Sequence, residues 1–430
     1  MNSRELANLV GGEHYGKEVK ISSFCVDSRR IQAGQVFVAL RGKVHDGHDF
    51  AKQALEKGAV ALLVERRLDL PTTQIVVKDT LSALRSVARF KRERFKGKVV
   101  AIAGSAGKTT TKELVAFLLS KTAKVCKTPK NFNSQVGVPL SVASFPEDCD
   151  YWVVEVGASA LGDVKRLVEL IEPHVRVITS IGEEHLESFG CLDHVILGNG
   201  EVFYGMKEED VGVYPAWLRE CYSVDKRVLF GQEPFVAENL RLSLEGVSFW
   251  VDGVEVFLPV PSLALVENTL CAFAVLHALG LDWKGLAKHL HEFKPIEGRF
   301  KTLRVGNLFI IDDAYNANPV SVRKALETLS MLRGFKVAVL GDMLELGEFS
   351  EHYHREVGKL CAQLDINLCA FYGEHMRHAY QECKRLKTEC YHFDQKEALA
   401  EFLKNLREGI VLIKGSRGMR LEEVIDRLSD

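Results

Sequence analysis

The chain has 430 residues, 47% hydrophobic and 27% charged, the composition of a soluble globular protein and too much chain for one hydrophobic core, so two to three domains are expected. Its formal charge of −2 excludes a global field that would recruit nucleic acid or an anionic membrane, and any polyanion has to be held by local groups. The ten cysteines form no Cys-x-x-Cys pair and no metal-ligand spacing, which predicts ordinary buried thiols in a reducing compartment; with no apolar signal core in residues 1–20 and no run of membrane-spanning length, a cytoplasmic protein is expected.

Residues 1–95 carry short strand candidates at 19–24, 35–40, 59–64 and 74–77, with helical spacing over 47–55 and a longer amphipathic helix over 81–95. Asp27-Ser28-Arg29 and Asp46-Gly47-His48 are polar clusters that, taken alone, read as turns. The basic run 91–98 reads as a solvated helix end at a domain boundary rather than a nucleic-acid patch.

The next stretch, residues 99–113, organises the rest. Five apolar residues, Val99 to Ala103, suit a buried parallel strand; Gly104 and Gly107 let the backbone approach an anion; Thr109 to Thr111 open a helix whose free N–H groups face it. Lys108 then belongs on the β/γ-phosphates of a nucleotide, with Thr109 on Mg²⁺. The loop is a short form, Gly-x-x-Gly-Lys-Thr-Thr, because Ile102 stands where a full phosphate-loop signature has its first glycine.

From about 97 to 294 strand and helix alternate. Residues 128–134 form a polar loop, and 151–157 an apolar strand in which Glu155 is a carboxylate that needs a cation, naturally Mg²⁺ beside the nucleotide. The strand at 175–181 ends near His185, the usual place for a ligand in an open α/β sheet. Alternation over 242–258 around Asp252-Gly253 predicts a hairpin with a type I′ turn, and 263–279 an apolar helix with Asn268 as its interior amide. From about 297 on, strands at 308–311, 336–340, 368–372 and 410–413 alternate with helices, a doubly wound pattern. Three polar loops follow carboxyl ends of these strands, at 312–319, 341–345 and 414–417, so they share one sheet edge that should face a ligand. His352, His354, His375 and His378 fall on helix surfaces and read as solvated.

Together these motifs resemble the Mur ligases of peptidoglycan synthesis, over nearly the whole chain. The resemblance is carried by Asp27-Ser28-Arg29, residues 46–50 (DGHDF), 104–113, 131–140 (NFNSQVGVPL), 155–158, 185–190 (HLESFG), Gly298-Arg299, 312–319 (DDAYNANP), 341–348 (GDMLELGE) and 414–419 (KGSRGM). It implies an α/β protein of three domains: an N-terminal UDP-substrate domain (1–95), a central phosphate-loop ATPase domain with a mostly parallel sheet (96–296), and a C-terminal doubly wound, Rossmann-like ligase domain (297–430). The members it most resembles append D-Ala-D-Ala to UDP-N-acetylmuramoyl-tripeptide, using ATP and Mg²⁺ through an acyl phosphate. Alternatives within the superfamily are another amino-acid-adding Mur ligase or a folylpolyglutamate synthase, and outside it a nucleotide-driven scaffold. A monomer with no nucleic-acid or membrane partner is expected.

The resemblance implies ATP contacts from Gly104, Ser105, Ala106, Gly107, Lys108, Thr109 and Thr110, from Asn268 on the adenine, and from Arg299, Asp312 and Asp313 when the third domain closes. It places Mg²⁺ on Thr109 and Glu155, with a second ion helped by His185, so that Lys108, Glu155, His185 and Arg299 carry the chemistry. Ser28, Arg29, Asp46 and His48 match the part that holds the UDP end, and Asn131, Asn133, Asn316, Asn318, Lys414 and Arg417 are expected at the substrates. The chain departs from the family where a carbamylated lysine is usual: Asn199 stands there, so the second cation is expected to be held through water or Glu201. Ala264-Leu265 replaces a His-Asn pair, and an Asn-Ala-Asp-Asp stretch is missing near Tyr214-Pro215-Ala216.

Overall fold

The computed structural model describes residues 1–429, which gather into two compact units of mixed α/β structure with mostly parallel sheets. The first holds residues 1–101, 123–157 and 163–174; the second holds 102–122, 158–162 and the chain from Val175 on.

In the first unit a five-stranded sheet runs in the order Glu13–Tyr15, Thr73–Val76, Ala61–Val64, Gln35–Val38, Ser23–Cys25, antiparallel at the first pair and parallel elsewhere. Because side chains alternate across a sheet, Val36, Val38, Leu63 and Ile75 meet Leu6, Leu84 and Val87 on one face, while Phe37, Leu62 and Val64 meet Ala51 and Ala54 on the other. Helix Thr80–Arg94 begins on Asp79, whose carboxylate accepts the Ser82 N–H at 2.6 Å. Its basic end is less solvated than the sequence suggests. Lys91 Nζ donates to the Phe145 carbonyl at 2.6 Å, and Arg92 donates to the carbonyls of Ile171 and Glu172 at 2.5 and 2.8 Å. Those last two lie at the end of helix Asp163–Ile171, where carbonyls lack intrahelical partners. Cys126 and Cys149, at the start of the parallel pair Val125–Lys127 and Tyr151–Glu155, are joined by a disulfide that the sequence reading did not anticipate.

In the second unit, strands Val175–Ile178, Val211–Pro215 and Arg227–Phe230 pair in parallel. A three-stranded antiparallel sheet, Glu238–Ser243, Gly246–Val251 and Val254–Leu258, contains the expected hairpin; Asp252 and Gly253 have φ of 43° and 79°, as a type I′ turn requires. The apolar helix is Leu263–Ala278. A six-stranded sheet follows in the order Lys301–Val305, Leu308–Asp313, Gly409–Lys414, Lys336–Gly341, Leu368–Tyr372, Cys390–Phe393, parallel except at the first pair. The second, third and fourth strands are direct neighbours, so the polar loops after them do share one edge.

One expectation needs correction here. Helix Ser350–Gln363 buries His354 completely rather than presenting it to solvent, because its ring fills the space under the loop at Met343. Cys361, Cys369 and Cys383, which have no metal-ligand spacing along the chain, do meet in the fold: two helices and a strand bring their buried sulfurs within 4.8 Å of one another. Among the described residues no helix is long and apolar enough to cross a membrane.

Candidate active site

The loop after strand Lys98–Ala103 holds the conformation its glycines allow. Gly104 and Gly107 have φ of 134° and 84°; a Cβ on the first would lie 2.1 Å from Thr179 Oγ1, and on the second 2.4 Å from Asn268 Oδ1. Asn268 is thus packed on the loop. Helix Lys108–Leu119 starts on Gly107 with no side-chain cap, so the positive end of its dipole faces the loop. The segment 179–182 fixes the loop from below. Ser105 N–H donates to the Ser180 carbonyl at 2.8 Å, Thr179 Oγ1 to the Ala106 carbonyl at 2.6 Å, and Ser105 Oγ to the Gly182 carbonyl at 3.0 Å. Lys108 Nζ donates to the Gly104 carbonyl at 2.5 Å and lies 3.8 Å from the Glu184 carboxylate.

The C-terminal loops reach this loop directly. Asn318 caps helix Pro319–Met331 by accepting the Ser321 N–H at 2.8 Å, and its Nδ2 donates to the Ser105 carbonyl at 3.2 Å. Arg299 Nη2 donates to Thr109 Oγ1 at 3.0 Å, with its guanidinium over the Tyr315 ring at 4.4 Å; Arg417 lies 5.4 Å from the same ring. Asp312 and Asp313 end strand Leu308–Asp313 and are held from within the C-terminal sheet edge. Asp312 accepts the Ala314 N–H at 3.1 Å and burial raises its pKa, while Asp313 pairs with Lys414 at 2.7 Å. Lys414, 3% exposed, also donates to the Asn316 carbonyl at 2.9 Å, so it braces the loop that presents Asn316 and Asn318.

His185 Nδ1 lies 2.7 Å from Glu345 Oε2. Both residues have positive φ, 45° and 63°, an uncommon conformation for residues with side chains and one that gathers at functional sites. They help line a cavity of about 210 Å³ whose wall also includes Glu184, Asn316, Asn318 and Arg417.

The remaining predicted residues belong to the first unit. Glu155, 1% exposed, accepts from Asn133 Nδ2 at 2.8 Å, and its N–H donates to Thr128 Oγ1 at 3.0 Å. Asn131 is exposed, and its carbonyl accepts the Asn133 N–H at 2.7 Å. His48 is a buried brace: Nε2 accepts the Glu65 N–H at 2.9 Å, so Nδ1 carries the proton and donates to Asp46 Oδ1 at 2.6 Å. The His48 N–H groups hold the Asp46 carboxyl well below the usual carboxylate range. Ser28 Oγ donates to Gln53 Oε1 at 2.6 Å; Arg29 forks onto Asp27 at 2.9 and 3.0 Å with most of its side chain in solvent.

Glu184, Tyr315 and Glu345 have no individual role in the sequence reading, although each lies in or beside a motif, and Asn199 figures there only as a departure from the family pattern; the contacts of all four emerge from the fold.

Three sequence patterns match in chain order: "Mur ligase family, catalytic domain" over residues 20–95, "Mur ligase middle domain" over 102–276, and "Mur ligase, glutamate ligase domain" over 298–417. The chain belongs to the Mur ligase family. Within it, the chain is similar to the UDP-N-acetylmuramoyl-tripeptide–D-alanyl-D-alanine ligase of Escherichia coli strain K12, 33% identical over 445 residues, covering 99% of this chain and 98% of that one. Among solved structures, MurF from Acinetobacter baumannii aligns with a TM-score of 0.90 at 30% identity, covering 99% of this chain and 98% of that chain. MurF from Thermotoga maritima in complex with ADP aligns at 0.83 and 29%, covering 95% and 97%.

Proposed function

We propose that this chain is an ATP-dependent peptide ligase that joins D-Ala-D-Ala to UDP-N-acetylmuramoyl-tripeptide, giving the pentapeptide, ADP and phosphate. The observation that carries the reading is the junction at the phosphate loop: Asn318 binds Ser105 and Arg299 binds Thr109, so loops from the C-terminal sheet edge stand over the nucleotide seat.

The chemistry follows from that arrangement. The tripeptide carboxylate attacks the γ-phosphorus and ADP leaves; the dipeptide amine then attacks the acyl carbon, and phosphate departs with the oxygen that bridged carbon and phosphorus. Both reactants of the first step are anions, so the site needs fixed positive charge and oriented N–H donors more than a nucleophilic side chain. Lys108, on turning from the Gly104 carbonyl, and the uncapped N–H groups of its helix neutralise the β/γ-phosphates, and Arg299 adds a second cation beside Thr109. The hydroxyl of Thr109 is a hard oxygen donor of the kind Mg²⁺ takes, and the Glu155 carboxylate offers the same donor type. When bound, that ion neutralises phosphate oxygens. His185, oriented by Glu345, faces the cavity with Asn316 and Arg417, which we assign to the acyl and dipeptide end. His48 positions the Asp46 loop of the UDP end, and Arg29 offers its exposed guanidinium.

The domain limits are 1–95, 96–296 and 297–430, and the protein acts as a cytoplasmic monomer. The test is phosphate release from Mg-ATP. Release that requires both UDP-N-acetylmuramoyl-tripeptide and D-Ala-D-Ala supports the reading. Release driven by a single amino acid, or none with both substrates, overturns it.

A further inference from the structure

We propose that Glu184, held by Asn199, is a ligand for the divalent cation that accompanies the nucleotide; this rests on the reading above only for a metal nucleotide at the loop. Glu184 is 6% exposed. Its Oε1 accepts from Asn199 Nδ2 at 3.2 Å, and its Oε2 lies 3.8 Å from Lys108 Nζ, within ion-pair reach but too far for a hydrogen bond. A carboxylate so buried needs a cation close by.

Lys108 is the cation nearest to hand, yet it is also the group that neutralises the incoming phosphates. Once it turns to them, Glu184 keeps one neutral amide and faces a polyanion. Two buried anions side by side repel strongly. A divalent cation shared between the carboxylate and a phosphate oxygen relieves that repulsion, and a carboxylate oxygen is the donor type Mg²⁺ takes.

Asn199 gives the carboxylate its place. It is fully buried, its Oδ1 accepts the Gly104 N–H at 3.0 Å, and its Nδ2 donates to Glu184 and to the Val195 carbonyl at 3.1 Å. Both ends of the amide are therefore bound, and the spacing between Glu184 and the first loop glycine is set by one side chain. Asn199 is a positioning residue in this sense. Glu201, one of the two alternatives the sequence offered for the second cation, accepts the Gly162 N–H at 2.6 Å. Glu184 also lines the cavity that His185 enters, so a cation held there adjoins the region assigned to the acyl group.

The probe is Mn²⁺, followed by electron paramagnetic resonance on the full chain with a non-hydrolysable ATP analogue and no acceptor. Glu184→Gln keeps the size and removes the charge. We expect it to weaken protein-dependent Mn²⁺ binding at least tenfold in the nucleotide complex, and to tighten binding of the metal-free analogue in EDTA, because an opposing anion is gone. A merely structural role moves both in the same direction. Unchanged Mn²⁺ binding in Glu184→Gln overturns the proposal. If that variant does not fold, Glu184→Asp is expected to retain Mn²⁺ binding at reduced affinity, and wild-type protein that adds no Mn²⁺ binding beyond the analogue's own sinks the idea without any variant. The assay needs no peptide substrate, so failure of the phosphate-release test with this Mn²⁺ result intact strikes the ligase reading alone.

Discussion

Lowering the pH should loosen the protein through one buried histidine. His354 Nε2 accepts the Met343 N–H at 3.0 Å and Nδ1 lies 2.6 Å from the Ser350 carbonyl, so the neutral ring ties the loop after strand Lys336–Gly341 to helix Ser350–Gln363. Burial pushes its pKa from 6.5 down to about 4; Asp342 opposes the shift and His375 and His378 add to it. The unfolded chain takes up this proton near pH 6.5 and the folded chain resists until about 4. The contribution is thus fully present above 6.5 and is lost as pH falls toward 4. At 1.36 kcal/mol per pH unit, the gap between 6.5 and about 4 comes to roughly 3 kcal/mol. The comparison is His354→Gln, which keeps an acceptor for Met343 and cannot ionise. Urea unfolding of both proteins from pH 7.5 to 4 should show wild type losing stability more steeply, with the remaining titratable groups cancelling between the two. Parallel curves would mean that His354 does not titrate with unfolding. The loop carries Glu345 to His185, so the same acidification should reduce turnover in wild type before it does in the variant.

Lys108→Ala should lower turnover by about 10²–10³, the scale for losing one oriented charge-stabilising group; near-normal steady-state rates would remove its assigned role. Arg176 and Asp210 form a buried pair at 3.0 Å, so Asp210→Ala should cost about 3 kcal/mol by removing the carboxylate paired with a buried guanidinium that keeps the carbonyls of Val202, Tyr204 and Gly205, read as a lower melting temperature. An unchanged melt contradicts that. Because Asn199 has no amine to carbamylate, removing bicarbonate and CO₂ should leave the rate unchanged, whereas a loss rescued by added bicarbonate would show that a carbamate forms elsewhere.

What sequence made legible were features with a local cause. The phosphate loop follows from two glycines between an apolar strand and a threonine-rich helix start, and the shared edge of the three polar loops follows from strand-end position alone. Period-two alternation and two left-handed turn residues gave the hairpin at 252–253. What stayed hidden depends on packing between distant segments. Nothing near Asn199 signals that its amide spans Gly104 and Glu184, separated from it by 95 and 15 residues. Lys414 has the residue type of an anion binder, and only the fold shows it buried against Asp313. His354 read as a surface residue because helical spacing does not reveal what covers a face, and the gathering of Cys361, Cys369 and Cys383 needs two helices and a strand to meet.

Attack of the tripeptide carboxylate on the γ-phosphorus can be followed most directly by labelling both oxygens of that carboxylate with heavy oxygen and analysing the products by mass spectrometry. One labelled oxygen is expected in every phosphate released and one in the new amide carbonyl. Phosphate free of label, with ligated product still formed, would contradict that attack.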